Sequence, residues 1–294
     1  MTDLDLLLEA GGAAWAEEAF FQAHEWWEAA WRRLPDGPLR QGTQALTQWA
    51  AAAHVTTLGR HAGAEAIRSR ARLRFLRTVN RLALAPFVLD LPSDERDELR
   101  LRDQNGVLPV TGVLLAAGHG RRAGGPKALI SVDGLPLWQR QVQRLQAIGV
   151  AQVVVVLHPQ ALLPPSPTFV PQFGDPDATP LHSLQRALTA TTGPVVVLPV
   201  DCPAPSRGVV VRLLAAAAID PRALAVRPIV QGPTGPRGGH PLWLAAATCQ
   251  ALTAVDAQQH RLDTFLHTMG DRYVDVCVAD PAVLGNFNLD GVSR

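Results

Sequence analysis

The second part of the chain, from Thr111 onwards, contains short runs of β-branched residues separated by segments with helical spacing. The runs cover residues 112–115, 152–157, 194–200, 224–226 and 273–278. Runs that are apolar throughout are typical of strands buried on both faces of a sheet. A helix over residues 137–148, ended by Gly149, fits between the first two runs. The pattern predicts a Rossmann-like, mainly parallel, three-layer α/β domain over residues 110–294.

The first 105 residues have a different composition, rich in Ala, Leu, Trp, Arg and Glu and poor in β-branched residues. Apolar positions in residues 20–31 and 46–54 recur at helical spacing. Five of the seven tryptophans lie in this part. We therefore expect a helical bundle over residues 1–105, joined to the α/β domain by a linker at residues 103–106. The predicted fold class is α + α/β.

The bulk properties limit the function classes. A length of 294 residues suits two domains, and a net charge of +1 gives no basic field for nucleic acid. Three widely spaced cysteines without a CxxC pair suit a reducing compartment. No apolar run approaches the length of a membrane span, and the first residues do not resemble a signal peptide. We expect a cytoplasmic protein that binds neither nucleic acid nor membrane.

Lys127 is the only lysine in the chain, and it closes a glycine-rich stretch, residues 115–127, directly after an apolar run. Small residues let backbone N–H groups approach an anion, and positive side chains neutralise it. A compact ammonium on a flexible stem suits a phosphate that moves during a reaction. The stretch indicates a phosphate-binding loop, although a surface lysine without function is the alternative.

The loop is neither a Walker loop, which ends in GK[ST], nor a complete GxGxxG motif. It resembles the LAAGxSxRMGxPK motif of the nucleotidyltransferase superfamily related to molybdenum cofactor biosynthesis. Gly120 replaces the usual Ser and Ala123 the usual Met. The resemblance implies that the loop binds a nucleotide through Leu115, Ala116, Ala117, Gly118, Gly120, Arg121, Arg122, Gly124 and Lys127.

Further segments resemble the same family in the same order. Asp175 and Ser183 lie in a segment that the family places beside the nucleotide, and an ordinary amphipathic helix is the alternative for Ser183. Asp201 follows an apolar strand, where a carboxylate reaches the ligand crevice of a parallel sheet. The resemblance makes it a metal ligand together with Asn288, and a simple turn aspartate is the alternative. His240, in a segment resembling RGHP, would either face the acceptor or only fix its loop.

The resemblance implies transfer of a nucleoside monophosphate from CTP or GTP to a phosphorylated acceptor, with release of pyrophosphate. Lys127, Arg122 and Asp201 would be catalytic, and Mg²⁺, or Mn²⁺ in its place, would be the cofactor. The family's acceptor is the molybdopterin cofactor, here with a cytidylyl preference, and a molybdoenzyme or chaperone would be a partner. A nucleotidyltransferase acting on a sugar phosphate or another small phosphate is one alternative. A non-catalytic nucleotide- or cofactor-binding chaperone is another.

The helical part contains the sequence HEWWEAAW at residues 24–31. With a later Gln-rich, Ala-rich helix, it resembles domain of unknown function 309 over about residues 12–85, a family without an assigned activity. On a helix, His24 and Glu28 share a face. Together with His54 they form either a metal or acid–base site or a packed polar network, and we expect the network.

Overall fold

The computed structural model describes residues 1–79, 106–120, 125–132, 134–164 and 167–287. The chain divides into two compact units, Met1–Gly106 and Val107–Arg294. Most of the predicted linker, residues 103–105, lies outside the described residues. Within those residues, no helix is both long and apolar enough to cross a membrane.

Within its described residues 1–79, the first unit contains four helices, each packed against the next. They are α1 (Asp3–Ala16), α2 (Phe20–Arg33), α3 (Pro38–Thr57) and α4 (His61–Val79). Trp27 of α2 is fully buried, and its Nε1 donates a hydrogen bond of 3.1 Å to the carbonyl of Leu8. A Cβ on Gly11 would lie 2.3 Å from the Trp27 ring. Helix α1 can therefore approach α2 this closely because residue 11 has no side chain. The helical spacing of the apolar residues thus produces a bundle centred on this tryptophan.

The second unit contains an eight-stranded sheet with the order β10-β7-β9-β6-β1-β4-β5, and β8 pairs with β7. Strand bounds are β1 Leu108–Ala116, β4 Val150–Leu157, β5 Val170–Phe173, β6 Val195–Pro199, β7 Ala225–Gly232, β8 Gly235–Gly238, β9 Leu242–Leu244 and β10 Tyr273–Cys277. Strands β2 (Ser131–Val132) and β3 (Leu135–Pro136) form a separate small pair. The pairs β1–β4, β1–β6, β4–β5 and β7–β10 are parallel, whereas β8 and β9 are antiparallel to their neighbours.

Helices cover both faces of this sheet. They are α5 Leu137–Ala147, α6 Pro180–Leu188, α7 Arg207–Ile219, α8 Ala246–Thr253 and α9 Leu262–His267. A Cβ on Gly112 would meet Leu145 of α5 at 3.7 Å, whereas Val113 packs in a cluster with α6 and α8. Successive strand residues point to opposite faces, so these helices lie on opposite sides. The expected helical and mainly parallel α/β architecture is confirmed.

The carboxyl ends of β1, β4, β5 and β6 share one edge of the sheet because these strands are parallel. The reversed strand β9 pairs Leu242 with Val197 of β6, so its beginning lies at the same edge. The loop before β9 and the loops after β1, β4, β5 and β6 therefore meet there. This is the edge where open α/β sheets bind ligands.

Candidate functional site

Lys127 and Asp201 form an ion pair at this edge. Nζ of Lys127 lies 3.2 Å from Oδ2 of Asp201, and the two side chains are 28% and 32% exposed. Lys127 opens a short 3₁₀ helix, Lys127–Leu129, after the glycine-rich loop, and Asp201 follows β6. The pair is a partly exposed arrangement of one cation and one carboxylate, suited to a ligand that carries phosphate groups.

The glycine-rich loop extends from the end of β1. Leu115 accepts a backbone hydrogen bond from Val200, and Ala116 and Ala117 are buried behind the loop. Gly120 has φ +58°, and a Cβ there would lie 2.1 Å from the carbonyl oxygen of Gly125. A serine would not fit at this position, which accounts physically for the departure from the family motif.

Four site residues inferred from the sequence lie outside the described residues. They are Arg121, Arg122, Gly124 and Asn288. Residue 287 is described, and the amide of Phe287 donates a 2.7 Å hydrogen bond to the backbone carbonyl of Asp201. The chain therefore returns to Asp201 immediately before position 288.

Gln141 of α5 holds the Asp201 turn from behind. Its side chain is fully buried, and its Nε2 donates hydrogen bonds to the carbonyls of Val200 (3.2 Å) and Cys202. Both neighbours of Asp201 are thus fixed by one amide. Gln141 is not among the residues predicted from the sequence. The only signal for Gln141 in the sequence is an amide on the apolar face of a helix.

Cys202 closes this turn against the last part of the chain. Its Sγ lies 3.3 Å from Oδ1 of Asn286. Burial, with a smaller effect from Asp201, raises the pKa of the Cys202 thiol to about 12. The thiol therefore stays protonated near neutral pH and acts as a weak donor rather than as a metal-binding thiolate.

Asp175 and Ser183 lie on the other side of β1, near the ends of β4 and β5. Asp175 Oδ1 accepts a 2.9 Å hydrogen bond from the amide of Asp177, which folds the loop into a turn. Ser183 of α6 is buried, and a Cβ on Gly174 would lie 3.9 Å from its Oγ. That same Cβ would lie only 2.8 Å from the side chain of Ala117. The two loops can therefore approach this closely because residue 174 has no side chain.

His240 lies on the loop before β9, next to a cis peptide bond with Pro241. Its amide donates a 2.8 Å hydrogen bond to Val283, and a Cβ on Gly239 would lie 2.3 Å from the same carbonyl oxygen. Burial lowers the pKa of His240, and Asp201 partly opposes this effect. The imidazole is therefore close enough to sense the Asp201 charge.

A cavity of about 680 Å³ opens beside His240. Its apolar wall consists of leucines and a proline, and its polar wall contains imidazole and guanidinium groups. Arg227 in this wall pairs with Asp275 at 2.6 Å and stacks over the Tyr273 ring at 4.9 Å. The cavity is completed by Thr179, Pro180, Leu181, Gly238, Gly239, Leu242, His260, Arg261, Leu262, Asp263, Leu266 and His267.

The first unit brings His24 and Glu28 together with Glu25. Possible ligand atoms of the three lie within 4.8 Å of one another. His24 Nδ1 pairs with Glu25 at 3.0 Å, and Glu28 pairs with Arg32 at 2.9 Å. The ring of His54 instead contacts the ring of Phe21, with centroids 5.3 Å apart. In the described part of the chain, both carboxylates thus have protein partners, and the choice between a metal or acid–base site and a polar network stays a prediction.

Comparisons with known proteins give two family matches. The model of the MobA-like NTP transferase domain matches residues 112–273. The model of the Domain of unknown function (DUF309) matches residues 8–67. A search of the curated proteins found no significant match.

Solved structures share the fold of the second unit. The bifunctional IspDF from Campylobacter jejuni is 18% identical with a TM-score of 0.51, over 60% of this chain and 51% of that chain. A 2-C-methyl-D-erythritol 4-phosphate cytidylyltransferase from Thermus thermophilus is 23% identical (TM-score 0.48), over 60% and 93%. Rv0371c from Mycobacterium tuberculosis H37Rv is 21% identical (TM-score 0.44), over 57% and 88%. Because the transferase model spans just over half of the chain, the protein belongs to the MobA-like NTP transferase domain family and is an enzyme of the nucleotidyltransferase class.

Proposed function

We propose that this enzyme transfers a nucleoside monophosphate from a nucleoside triphosphate to a phosphorylated small molecule. The observation that carries the proposal is the Lys127–Asp201 pair, 3.2 Å apart, at the carboxyl ends of β1 and β6. It combines a cation for the transferring phosphate with a carboxylate for a metal ion, directly beyond a glycine-rich loop. We propose CTP as the donor and molybdopterin as the acceptor, on the sequence resemblance described above.

The donor atoms near Asp201 fit a magnesium ion. Mg²⁺ prefers carboxylate and amide oxygens and retains several waters, so a partly exposed carboxylate suits it. Asp201 would hold the ion, with Mn²⁺ as a substitute, and Asn288 is our proposed second ligand. When bound, the ion would neutralise charge on the phosphate oxygens. Gln141 and Phe287 keep the turn that carries Asp201 in place.

The reaction exchanges one phosphorus–oxygen bond for another. An oxygen of the acceptor phosphate attacks the α-phosphorus, and the bond from that phosphorus to the bridging oxygen of pyrophosphate breaks. Pyrophosphate leaves with the electron pair of that bond. Lys127 stabilises the negative charge that develops on the α-phosphate, and we propose that Arg122 stabilises the leaving group. Such chemistry depends mainly on alignment and charge.

The cavity beside His240 is our proposed acceptor site. Leu181, Leu242 and Leu266 offer apolar surface for the body of the acceptor, while His240, His260 and His267 offer polar nitrogens. Its volume of about 680 Å³ suits a small molecule rather than a polymer. His240 lines this cavity and precedes β9 at the edge of the sheet where Asp201 lies, and Asp201 opposes part of the pKa lowering that burial causes in His240.

The test is release of pyrophosphate in the presence of Mg²⁺. CTP, GTP, ATP and UTP are each compared with and without molybdopterin and with a panel of sugar phosphates. We expect release with CTP and molybdopterin, reduced at least about a hundredfold in Lys127→Ala and in Asp201→Asn. Arg222→Ala is the matched charge control, because Arg222 is an exposed cation paired with Asp220 just before β7 begins, at the opposite edge of the sheet.

Each outcome has a defined meaning. Release only with GTP would change the proposed base, and release only with a sugar phosphate would change the proposed acceptor. Nucleotide binding without release for any acceptor would indicate the non-catalytic alternative. Equal loss in Arg222→Ala and Lys127→Ala would contradict the role given to Lys127.

A further inference from the structure

His158 is a buried histidine with one unpaired nitrogen at the binding edge of the sheet. It directly follows β4 and is only 4% exposed. Its Nδ1 lies 3.2 Å from the backbone amide of Gln160, which can only donate, so Nδ1 is the acceptor. The neutral ring then carries its hydrogen on Nε2. Among the described residues, this Nε2 has no hydrogen-bond partner.

An unpaired buried N–H donor is costly for a folded protein. Leaving such a group without an acceptor destabilises the folded state, so most buried donors in native proteins are paired. Burial, followed by the nearby His119, also lowers the pKa of His158. The ring thus stays neutral near pH 7 and keeps a single hydrogen on Nε2. Nε2 is closed off from solvent in this structure, so an acceptor atom of a ligand reaches it and satisfies it only when the surrounding loops shift.

The surroundings of His158 are formed by three loops at the same edge. The ring of His119, on the loop after β1, lies 5.8 Å from the His158 ring in an edge-on arrangement. His119 Nε2 in turn lies 3.3 Å from Oδ1 of Asp177, on the loop after β5. The amide of Gly174 donates a 3.0 Å hydrogen bond to the Leu157 carbonyl, which joins the β4 and β5 loops. The unpaired donor therefore belongs to a cluster on the loops that flank the glycine-rich turn.

This cluster and the Lys127–Asp201 pair lie on opposite sides of β1. Asp201 follows β6 and His158 follows β4, and these strands are the two neighbours of β1. Two strand spacings separate them, about 10 Å. A nucleoside phosphate with its phosphate at Lys127 can therefore extend across the end of β1 and place its base near His158.

We infer that His158 reads the base of the nucleotide by donating a hydrogen bond from Nε2 to a carbonyl oxygen. The inference rests on the proposed function, because it assumes a nucleoside triphosphate at Lys127. Cytosine, uracil and guanine carry a carbonyl oxygen, whereas adenine has an amino group and no carbonyl. His158 therefore selects oxo-bearing bases against adenine. His119 and Asp177 act as positioning residues that hold the neighbouring loops.

The test measures equilibrium binding, which does not depend on turnover. The binding of CTP, UTP, GTP, ATP and inorganic tripolyphosphate is measured by calorimetry for the full chain. For the wild type, we expect at least one oxo-bearing nucleotide to bind about tenfold more tightly than ATP, the effect of one hydrogen bond. In His158→Phe this preference should fall to within about twofold, while tripolyphosphate affinity stays unchanged.

His158→Gln is the conservative variant, since its side-chain amide also donates a hydrogen bond from a similar position. His158→Gln should keep most of the base preference. Folding of each variant is judged by its melting transition, and His158→Gln still tests the inference if His158→Phe does not fold. A wild-type enzyme that binds ATP as tightly as the other nucleotides would overturn the inference. So would equal weakening of tripolyphosphate and nucleotides in a folded His158 variant.

These outcomes are distinct from a failure of the proposed function. Base preference that depends on His158 without pyrophosphate release from any acceptor would sink the transferase proposal and keep the base assignment. Pyrophosphate release together with an unchanged base preference in His158→Phe would keep the transferase proposal and overturn the base assignment. A wild type that binds no nucleoside triphosphate would overturn both.

Discussion

Nζ of Lys127 lies 3.2 Å from Oδ2 of Asp201, although 74 residues separate them in the sequence. Parallel pairing of β1 with β6 brings the two together, because each residue belongs to the loop beyond the carboxyl end of its strand. The same pairing places the Asp201 turn against α5. The position of this turn therefore depends on what packs behind the sheet as well as on the loops in front of it.

Gln141→Leu is expected to disturb the Asp201 turn without touching a ligand. The variant keeps most of the side-chain volume but leaves the carbonyls of Val200 and Cys202 without their donor. We expect a loss of about 2 kcal/mol in the free energy of unfolding. We also expect a lower kcat for pyrophosphate release, with KM for the nucleotide changed less.

Gln146→Leu is the control for this variant, since Gln146 lies on the same helix and its 2.8 Å hydrogen bond to Thr168 is exposed. Urea denaturation should show that the free energy of unfolding of Gln146→Leu changes by less than about 1 kcal/mol. Equal destabilisation by both substitutions would mean that the loss does not come from the buried hydrogen bonds of Gln141, and the role given to Gln141 would be wrong.

Gly120→Ser restores the residue that is usual in the related motif, and we expect it to harm this protein. Its φ of +58° and the 2.1 Å approach of the Gly125 carbonyl leave no room for a Cβ. The free energy of unfolding should fall by about 2 kcal/mol or more. Gly118→Ser, two residues earlier, is the control because a Cβ there has no neighbour within 4 Å. Equal melting temperatures for the two variants would contradict this account.

His158 makes stability depend on pH. Its pKa in the folded protein is lowered from the ordinary value of 6.5, chiefly by burial. Below about pH 6.5 the unfolded chain binds a proton that the folded chain does not, so stability falls as the pH falls toward the folded pKa. Above that window the effect vanishes. Urea denaturation from about pH 7.5 to 5 should show a smaller decline for His158→Gln than for the wild type.

Gly11→Ala tests the packing of the helical unit. A Cβ at Gly11 would lie 2.3 Å from the ring of Trp27, which is fully buried and hydrogen-bonded to Leu8. Overpacking of this kind costs about 1–3 kcal/mol. Gly63→Ala in α4 provides the contrast, because a Cβ there meets nothing within 4 Å. It should stabilise the unit by about 0.4–1 kcal/mol. Thermal unfolding monitored by tryptophan fluorescence would separate the two.

The sequence alone predicted the helical unit and the mainly parallel sheet, because long helical spacing and fully apolar strands are strong signals. Strands β5, β8 and β9 and the small β2–β3 pair escaped prediction, since each strand has at most four residues and β3, β5 and β8 contain Pro. The reversed direction of β9 is a tertiary property that spacing does not encode.

The site residues also divide into those that the sequence predicts and those that only the folded structure reveals. Lys127 and Asp201 could be anticipated because Lys127, the only lysine, closes a glycine-rich stretch and Asp201 directly follows a strand-like run, where α/β proteins bind ligands. Gln141 and His158 could not. Their importance arises from burial and from hydrogen bonds to the backbones of Val200 and Gln160, and these appear only when the chain is folded.

In a fully parallel sheet, only the segments that leave the strands reach the ligand-binding edge. Because β9 runs backwards, the segment that enters it, rather than the one that leaves it, carries His240 to the edge beside Asp201. The β7–β8 hairpin that precedes this segment pairs directly with neither β1 nor β6. On the proposed assignment, changes in this hairpin would therefore alter the choice of acceptor while the Lys127–Asp201 pair beyond β1 and β6 stays constant.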